Sequence, residues 1–429
     1  MTVPELLAPA GSLAMAATAL DFGATAIYAG QPRYSLRVRN NEFGKLENLA
    51  AGIERVHERG GKFYVVSNIS PHNAKLKTYL ADMAPVIALQ PDALIMADPG
   101  LMLMIRETWP DMPIHLSVQA NTVNYAAVKF WRSLGVARVI LSRELSLDEI
   151  AEIRQECPDI ELEVFVHGAL CVAYSGRCLL SGYFNHRDPN QGSCTNSCRW
   201  EYGVKPAAAD AAGDVYLLEE ATRPGELMPI EEDEHGTYIL NSKDLRAIEH
   251  VERLVAIGVD SLKIEGRTKS AYYVACSCQA YRRAIDDAVA GRPFNPQLVG
   301  ELASLANRGY TAGFYERHPD REYQNYLSGL SQTGSRLYVG DVIAYRPDGL
   351  AEIEVKNRFA VGDLLELIHP AGNRTLRVAH MQKVGADGTA SAVTTAPGSG
   401  HRVLIPLPAE KQGAFLARLL DTPKTPAVQ

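Results

Sequence analysis

Residues 161–200 read ELEVFVHGALCVAYSGRCLLSGYFNHRDPNQGSCTNSCRW, and this stretch joins a strand to a group of cysteines. The β-branched and aromatic run from Leu162 to Val166 predicts a buried strand. Four of the seven cysteines follow it, with six, fifteen and three residues between them: Cys171, Cys178, Cys194 and Cys198. The first two therefore come just after the carboxyl end of a strand, where α/β folds place their ligands.

Similar strand-like runs recur through the first 290 residues, and amphipathic helical stretches separate most of them. The predicted strands are Glu5–Ala8, Ala26–Ala29, Lys62–Asn68, Ala93–Ala97, His115–Gln119, Arg138–Ser142, Leu162–Val166 and Ser261–Glu265. The clearest predicted helices are Leu46–Arg59, Leu76–Leu89, Tyr125–Leu134 and Leu147–Cys157. Eight strands that alternate with helices predict an α/β fold, a (β/α)8 TIM-like barrel. An open, doubly wound sheet is the alternative.

In such a barrel, the residues that follow each strand meet at one mouth. Read in chain order they are Pro9–Gly11, Gly30, Asn68–Ser70, Asp98, Gln119–Asn121, Arg143–Glu144, His167–Cys171 and Glu265–Arg267. This set is polar and contains two arginines and several amides. The sequence therefore predicts a binding site at this mouth, with the cysteine stretch on its rim.

The four cysteines predict a metal site, because thiolates gathered beside a strand end are good ligands. Their spacing matches neither the paired CxxC motifs of a zinc ribbon nor the cysteine runs of ferredoxins. An iron–sulfur cluster, structural zinc and unligated thiols all remain possible readings of the spacing. Two disulfides are disfavoured, because a reducing compartment is expected. Three other cysteines are left out of the site: Cys157, Cys276 and Cys278.

Outside the barrel strands, changes in composition divide the chain further. We predict a barrel over residues 1–291 with a cysteine-bearing insertion at 171–260, which is too long for a simple crossover. A linker with a helix follows at 292–334. Short strands separated by turns then predict a small antiparallel β-barrel of about six strands at 335–410. A short helix and a tail are expected at 411–429.

Composition narrows the class of function. The chain has 429 residues, 46% of them hydrophobic, and a net charge of −7. That charge excludes a surface that is basic throughout, so RNA could bind only at a local patch and DNA is not expected as a partner. No apolar run reaches membrane-spanning length, so no membrane is expected either. The first residues carry no targeting signal, and we expect a cytoplasmic protein.

The cysteine stretch also carries a resemblance. Glu163-x-Phe165-x-x-Gly168-Ala169-Leu170-Cys171, followed by Gly176-x-Cys178-x-Leu180-Ser181, resembles the signature of the collagenase-like peptidase family of unassigned mechanism. The stretches NSKDL (Asn241 to Leu245) and KIEGR (Lys263 to Arg267) are similar to two further blocks of that family. The resemblance covers roughly residues 1–330.

One branch of that family modifies tRNA, and the resemblance to it implies a specific activity. The expected enzyme is a tRNA hydroxylase that acts on C5 of the wobble uridine, position 34 in the anticodon loop, without molecular oxygen and with prephenate as the hydroxyl donor. The resemblance also implies that a 4Fe-4S iron–sulfur cluster is held by the four cysteines Cys171, Cys178, Cys194 and Cys198.

Four mouth residues are candidates for binding the substrates. Prephenate is a dicarboxylate, and arginine side chains suit carboxylates, so Arg143 and Arg267 are candidates for binding it. His167 and Glu265 are further candidates on the same rim. The alternatives are a hydrogen-bonded core histidine and a structural ion pair between Glu265 and Arg267. The catalytic acid or base is not identified by the sequence.

Two other classes of function, a peptidase and a non-catalytic interaction protein, receive less support from the sequence. A peptidase would need a recognisable site, but His57-Glu58 does not continue into HExxH and there is no G-x-S-x-G motif. A Cys171–His167 dyad is conceivable, although four grouped cysteines fit metal binding better than one activated thiol. A non-catalytic, metal-stabilised interaction protein would not need a polar barrel mouth. The sequence therefore favours the enzyme.

Overall fold

The structure is a computed structural model. It describes residues 2–31, 33–36, 41–170, 216–219, 227–233, 236–238, 243–266, 269–307, 309–316, 336–385, 388–408 and 413–420. Of the residues singled out in the sequence, Arg267 and the four cysteines Cys171, Cys178, Cys194 and Cys198 lie outside these ranges.

The described residues from 5 to 264 contain twelve strands. They are β1 (Glu5–Pro9), β2 (Ala26–Gly30), β3 (Lys62–Ser67), β4 (Ala93–Met96), β5 (Ile114–Leu116), β6 (Arg138–Ile140), β7 (Glu161–Ala169), β8 (Tyr216–Glu219), β9 (Leu227–Asp233), β10 (Gly236–Tyr238), β11 (Asp244–Arg246) and β12 (Ser261–Ile264). Strands β1 to β7 pair in parallel order, and β12 pairs in parallel with both β7 and β1. The eight strands therefore close into a barrel, which confirms the predicted fold and excludes the open sheet.

Helices lie between the strands and cover the outside of the barrel. They are α1 (Leu13–Asp21), α2 (Leu46–Glu58), α3 (Asn73–Ile87), α4 (Pro99–Thr108), α5 (Tyr125–Ser133), α6 (Leu147–Glu156), α7 (Val251–Ile257), α8 (Ala271–Val289) and α9 (Gln297–Ala303). Most begin at a side-chain cap, as where Ser146 and Glu149 form a reciprocal capping box at the start of α6. Among the described residues, no helix combines the length and apolar character needed to cross a bilayer.

The insertion after β7 contributes strand pairing beside the barrel. Strand β11 pairs antiparallel with the end of β7, and β13 (Tyr310–Thr311) pairs with β11 in parallel. Strands β8, β9 and β10 form a separate antiparallel sheet. The chain thus places extra backbone against the carboxyl end of β7, next to the barrel mouth.

The C-terminal region is antiparallel, as the sequence predicts, with more strands than the six expected. The strands are β14 (Arg336–Tyr345), β15 (Leu350–Val355), β16 (Phe359–Ala360), β17 (Leu364–Ile368), β18 (Arg374–Arg377), β19 (Met381–Val384), β20 (Ala390–Val393), β21 (Thr395–Ala396), β22 (Arg402–Pro406) and β23 (Phe415–Leu419). Eight of them form one sheet in the order β18-β17-β23-β14-β15-β22-β19-β20, and β16 pairs with β21.

The predicted helix in 411–429 is wrong where the structure describes that segment. Residues Phe415–Leu419 form β23, which lies inside the sheet and pairs with both β14 and β17. Leu416 and Ala417 are completely buried. Two hydrogen-bonded neighbours and this burial override the helical propensity of the short FLARL segment.

The C-terminal sheet packs directly on the barrel through aromatic rings. Tyr272 in α8 stacks on Tyr338 in β14, with ring centroids 4.5 Å apart and planes only 9° from parallel. Phe415 lies 6.0 Å from Phe22 at the end of α1. The barrel and the C-terminal sheet therefore pack against each other through aromatic side chains.

One glycine allows β7 and β12 to approach closely at their carboxyl ends. Gly168 has φ +106°, and a Cβ atom built there would lie 2.3 Å from the carbonyl oxygen of Glu265. Next to it, the Glu265 amide donates a hydrogen bond to the carbonyl of His167 at 2.8 Å. Any larger residue would push the ends of these two strands apart.

We therefore expect Gly168→Ala to lower the free energy of unfolding by about 3 kcal/mol, from backbone strain and overlap together. The matched control is Gly60→Ala, because Gly60 also has a positive φ but meets no atom within 4 Å. That control should cost about 1 kcal/mol. Urea unfolding followed by circular dichroism measures both, and equal losses would show that the close strand contact is unimportant.

Candidate active site at the barrel mouth

The carboxyl ends of the strands surround a cavity of about 100 Å³ at the barrel mouth. Its lining mixes apolar and aromatic side chains with a few polar ones, as in binding pockets for small molecules. The lining residues are Tyr28, Leu36, Val66, Asn68, Ile95, Ser117, Val118, Gln119, Ile140, Arg143, Phe165, Lys263 and Glu265. Four of the predicted mouth residues thus meet in one cavity: Asn68, Gln119, Arg143 and Glu265.

Arg143 is held flat against an aromatic ring at this cavity. The centre of its guanidinium group lies 3.9 Å from the centroid of the Phe165 ring. In the described part of the chain, no carboxylate forms an ion pair with it. Stacking of this kind fixes the plane of the guanidinium group and leaves its N–H groups available for an anion.

Glu265 follows β12 and lines the same cavity beside Tyr28. The Tyr28 hydroxyl lies 3.0 Å from the carbonyl oxygen of Ile264 and 3.3 Å from Oε2 of Glu265. Only 7% of Glu265 is exposed. The mouth therefore presents a carboxylate and a cation from different strands.

A chain of buried charges lies beneath the cavity, inside the barrel. Nζ of Lys263 lies 2.7 Å from Oε1 of Glu163, and the other oxygen of Glu163 lies 3.1 Å from Arg138. Arg138 also contacts Glu5 at 2.6 Å. Four strands are thereby joined by ion pairs across the barrel interior. Lys263 completes the chain at the cavity floor, where its ammonium lies 4.4 Å from the centroid of the Tyr28 ring.

These contacts determine the charge states of the buried groups. Burial alone would raise the pKa of Glu5, but the charge of Arg138 and hydrogen bonds to the carboxylate bring it below the usual value. Burial lowers the pKa of Lys263 although the Glu163 carboxylate opposes this. The 2.7 Å contact with Glu163 favours the ammonium form against this effect of burial, and removing Lys263 would leave Glu163 with Arg138 as its remaining partner.

We expect Lys263→Met to lower the free energy of unfolding by about 3–5 kcal/mol, because Glu163 loses a buried partner. Lys129→Met is the matched control, since Lys129 pairs with Glu156 on the surface and should contribute little. Thermal or urea unfolding compares the two variants. Wild-type stability in Lys263→Met would contradict the view that this ion pair supports the core.

His167 lies outside the cavity. Its ring is completely buried and packs against the rings of Tyr273, Tyr281 and Tyr310, with centroids 5.5–5.6 Å apart. Burial lowers the pKa of His167 to about 3, so the imidazole is neutral. The structure thus favours the alternative of a core histidine, and the predicted contact of His167 with substrate is not supported by its position.

The neighbouring Tyr281 hydroxyl determines the role of the His167 Nδ1 atom in hydrogen bonding. The Tyr281 hydroxyl donates to the carbonyl of Val166 at 2.6 Å, so its oxygen can only accept from Nδ1 of His167, which lies 3.5 Å away. An imidazole that is enclosed by three tyrosine rings, and whose pKa is lowered by burial, is a weak base and is poorly placed to serve as the general base of a cysteine protease. The conceivable Cys171–His167 dyad is therefore disfavoured.

The cysteines that the structure describes are not candidates for ligands. Cys157, Cys276 and Cys278 are all buried, and burial raises the pKa of each thiol, to about 12 for Cys276. In the described ranges, no group of three or more His, Cys, Asp or Glu side chains could hold a metal ion. The candidate ligand set is therefore still the four cysteines that follow Leu170 in the sequence.

One feature of the mouth, the ion pair of Lys263, was not among the sequence candidates. Lys263 could have been suspected, because it is the one charged residue in the short strand SLKI, but its partner Glu163 is a hundred residues away. Asn68 and Gln119–Asn121 were predicted to lie at the mouth, but not the contact between their two segments, in which Asn68 donates to Ser117 at 3.1 Å. No local pattern in the sequence joins these two segments.

A closed α/β barrel with a polar mouth and a cysteine stretch beside it defines a class of possible enzymes, and comparison with known proteins narrows that class. The model of peptidase family U32 matches residues 11–325, and the model of that family's C-terminal domain matches residues 335–418. The chain belongs to peptidase family U32.

The relatives of the chain include proteins named for two different activities. The chain is 56% identical to "tRNA hydroxylation protein P" of Escherichia coli over 95% of this chain and 94% of that protein. It is 54% identical to the protein of the same name from Haemophilus influenzae, over 94% and 93% respectively. It is also 28% identical to a protein named "Collagenase" from Porphyromonas gingivalis, over 85% and 86%.

Proposed function

We propose that this chain is an enzyme that hydroxylates tRNA. The observation that carries the proposal is the 56% identity, over 95% of the chain, to a protein named for tRNA hydroxylation. At this similarity both the barrel and the C-terminal sheet are shared, so the likeness is not confined to one motif. The much lower identity to a collagenase gives the peptidase alternative less support.

The proposed reaction is more specific than the names of the relatives. It is hydroxylation at C5 of the wobble uridine, position 34, with prephenate as the hydroxyl donor and without molecular oxygen, in the cytoplasm. The state of Arg143 supports an anionic donor, because its guanidinium group is stacked at the cavity with no carboxylate partner among the described residues. Arg267 remains a second candidate for the donor. An anticodon loop supplies unpaired bases that can enter a pocket of this kind.

The proposal includes a 4Fe-4S cluster held by Cys171, Cys178, Cys194 and Cys198. The donor set fits such a cluster, since four cysteine thiolates are its usual ligands. The remaining cysteines are buried in the core and unsuited to the role. When bound, the cluster would supply electron transfer or act as a Lewis acid. Strand β7 ends at Ala169, and Cys171 follows two residues later in the sequence.

The role of each described residue in the proposed reaction is assigned from its position at the cavity. Arg143 would bind and orient the carboxylate of the donor, and the Phe165 ring would hold the guanidinium plane. Lys263 and Glu163 would keep the cavity floor rigid through their ion pair. Glu265 and Tyr28 would bound the other side of the cavity.

The test is a reaction with purified components under argon. The anaerobically prepared protein is incubated with prephenate and an unmodified tRNA transcript carrying uridine at position 34, and nucleosides are analysed by mass spectrometry. We expect 5-hydroxyuridine only when protein, prephenate and tRNA are all present. A protein that carries a complete cluster but yields no hydroxylated nucleoside would refute the proposed function.

A further inference from the structure

The turn that follows β5 contains Gln119, whose side-chain amide oxygen has no hydrogen-bond partner among the described residues. The backbone amide of Gln119 donates to Oγ of Ser117 at 3.4 Å, and its carbonyl accepts from Nδ2 of Asn121 at 3.0 Å. Ser117 is fixed in turn by Asn68, whose Nδ2 lies 3.1 Å from Oγ. The backbone of Gln119 is therefore held from both sides.

In the neighbouring side-chain amide of Asn68, both the nitrogen and the oxygen form hydrogen bonds. Its nitrogen donates to Ser117, and its oxygen accepts the backbone N–H of Leu36 at 3.3 Å. Gln119 differs: its Oε1 atom is buried and receives no hydrogen bond from any residue that the structure describes. Because buried polar atoms are nearly always paired, an unpaired amide oxygen in a residue that lines a cavity indicates a missing N–H or O–H donor.

We propose that the side-chain amide of Gln119 recognises the Watson–Crick edge of the target uracil. This inference rests on the proposed function. Uracil presents one N–H group, at N3, beside a carbonyl at C4, which matches an amide that offers an acceptor and a donor side by side. Oε1 accepts from N3–H and Nε2 donates to O4. The C5–C6 side of the base is then turned away from Gln119 and towards the rest of the cavity.

Other residues of the cavity are consistent with a base at this position. The rings of Tyr28 and Phe165 line the same cavity, and aromatic rings are the usual stacking partners of unpaired bases. Arg143 lies on Phe165 at that cavity, so the base and an anionic donor would lie next to each other at the barrel mouth. Gln119 thus determines which base is accepted, while Arg143 contacts the co-substrate.

The test pairs a protein variant with a change in the substrate. Gln119→Leu removes the amide, and an anticodon stem-loop with N3-methyluridine at position 34 removes the matching N–H. For the wild-type protein we expect the N3-methyl group to lower kcat/KM roughly 10- to 100-fold. For Gln119→Leu, uridine should already react slowly, and the N3-methyl group should cause less than about a threefold further loss. Gln382→Leu, a change in the C-terminal sheet, should behave as wild type.

The outcomes separate the inference from the function on which it rests. The loss of kcat/KM from Gln119→Leu and the loss from the N3-methyl group could simply multiply when the two changes are combined. That result would show that Gln119 does not contact N3. The inference would then be wrong, while tRNA hydroxylation would stand. A higher KM for prephenate with an unchanged KM for RNA would assign Gln119 to the donor and would also overturn it. If the wild-type protein hydroxylates no stem-loop at all, the proposed function itself fails. The cluster content and the unfolding midpoint of Gln119→Leu should match wild type, because the hydrogen bonds of Gln119 to other described residues use its backbone and not its side chain.

Discussion

Cys198→Ser should leave the protein without a complete cluster and without tRNA hydroxylation activity. A cluster needs all four thiolates, whereas a thiol protease would need only one nucleophile. Of the four candidate ligands, Cys198 is the farthest from His167 in the sequence, so its loss distinguishes the two chemistries best. Anaerobically prepared wild-type protein should be brown, absorb broadly near ~400 nm and contain about four irons per chain. The variant should contain markedly less iron and sulfide.

Cys157→Ser is the control for this prediction. Its thiol is buried and donates weakly to the carbonyl of Tyr125 at 3.6 Å, a contact that a serine hydroxyl can replace. This variant should keep wild-type iron and activity. Stoichiometric zinc without sulfide in the wild-type protein would instead favour a structural zinc site and would exclude the cluster.

Arg143→Ala should weaken the use of the carboxylate donor while leaving cluster content unchanged. A lost charge-assisted contact costs roughly 1.5–3 kcal/mol, which corresponds to a loss of roughly 10- to 100-fold in kcat/KM for prephenate. Arg143→Lys should recover only part of it, because an ammonium cannot reproduce the flat stack on Phe165 or a two-pronged contact with carboxylate. Arg267→Ala is expected to have a similar effect.

Arg132→Ala provides the matched control, since Arg132 pairs with Asp159 on the exposed face of the barrel. It should show wild-type kinetics with both substrates. The measurement is initial rate at limiting prephenate and saturating tRNA, with iron determined on the same samples. Unchanged rates in both Arg143→Ala and Arg267→Ala would show that the donor binds elsewhere.

The barrel could be predicted because its strands are marked strongly in the sequence. Runs such as Ala26–Gly30 and Lys62–Ser67 are buried almost throughout, so they appear as nearly continuous apolar segments. Strand β23 was missed because FLARL is too short to show a period, and only its pairing with β14 and β17 makes it a strand. The sequence carries no local record of that pairing.

His167 shows why alternation along a strand can mislead. Glu163 and Phe165 point into the barrel, and simple alternation would direct His167 the same way. The register of β7 against β12 shifts at this point, because Lys263 pairs with Phe165 while Ile264 pairs with His167. Such a bulge inserts one residue and reverses the facing of those that follow. His167 therefore turns outward to the tyrosines of α8.

Position at a strand end was enough to predict Arg143 and Glu265, since parallel strands bring their carboxyl ends together. It could not distinguish the unused amide of Gln119 from the structural amide of Asn68, because both follow strands and both are polar. Only the hydrogen bonds of the folded turn separate them. The buried ion pairs of Lys263, Glu163, Arg138 and Glu5 could not be predicted either, because these residues come from strands far apart in the sequence.

The most direct test of the central claim is mass spectrometry of tRNA nucleosides from a deletion strain that lacks this protein and any parallel route to 5-hydroxyuridine. Complementation with the wild-type chain should restore the modified wobble nucleoside. Complementation with Cys198→Ser should not, although the variant is present at a comparable level. Normal amounts of 5-hydroxyuridine with Cys198→Ser, or none with the wild-type chain, would contradict the account.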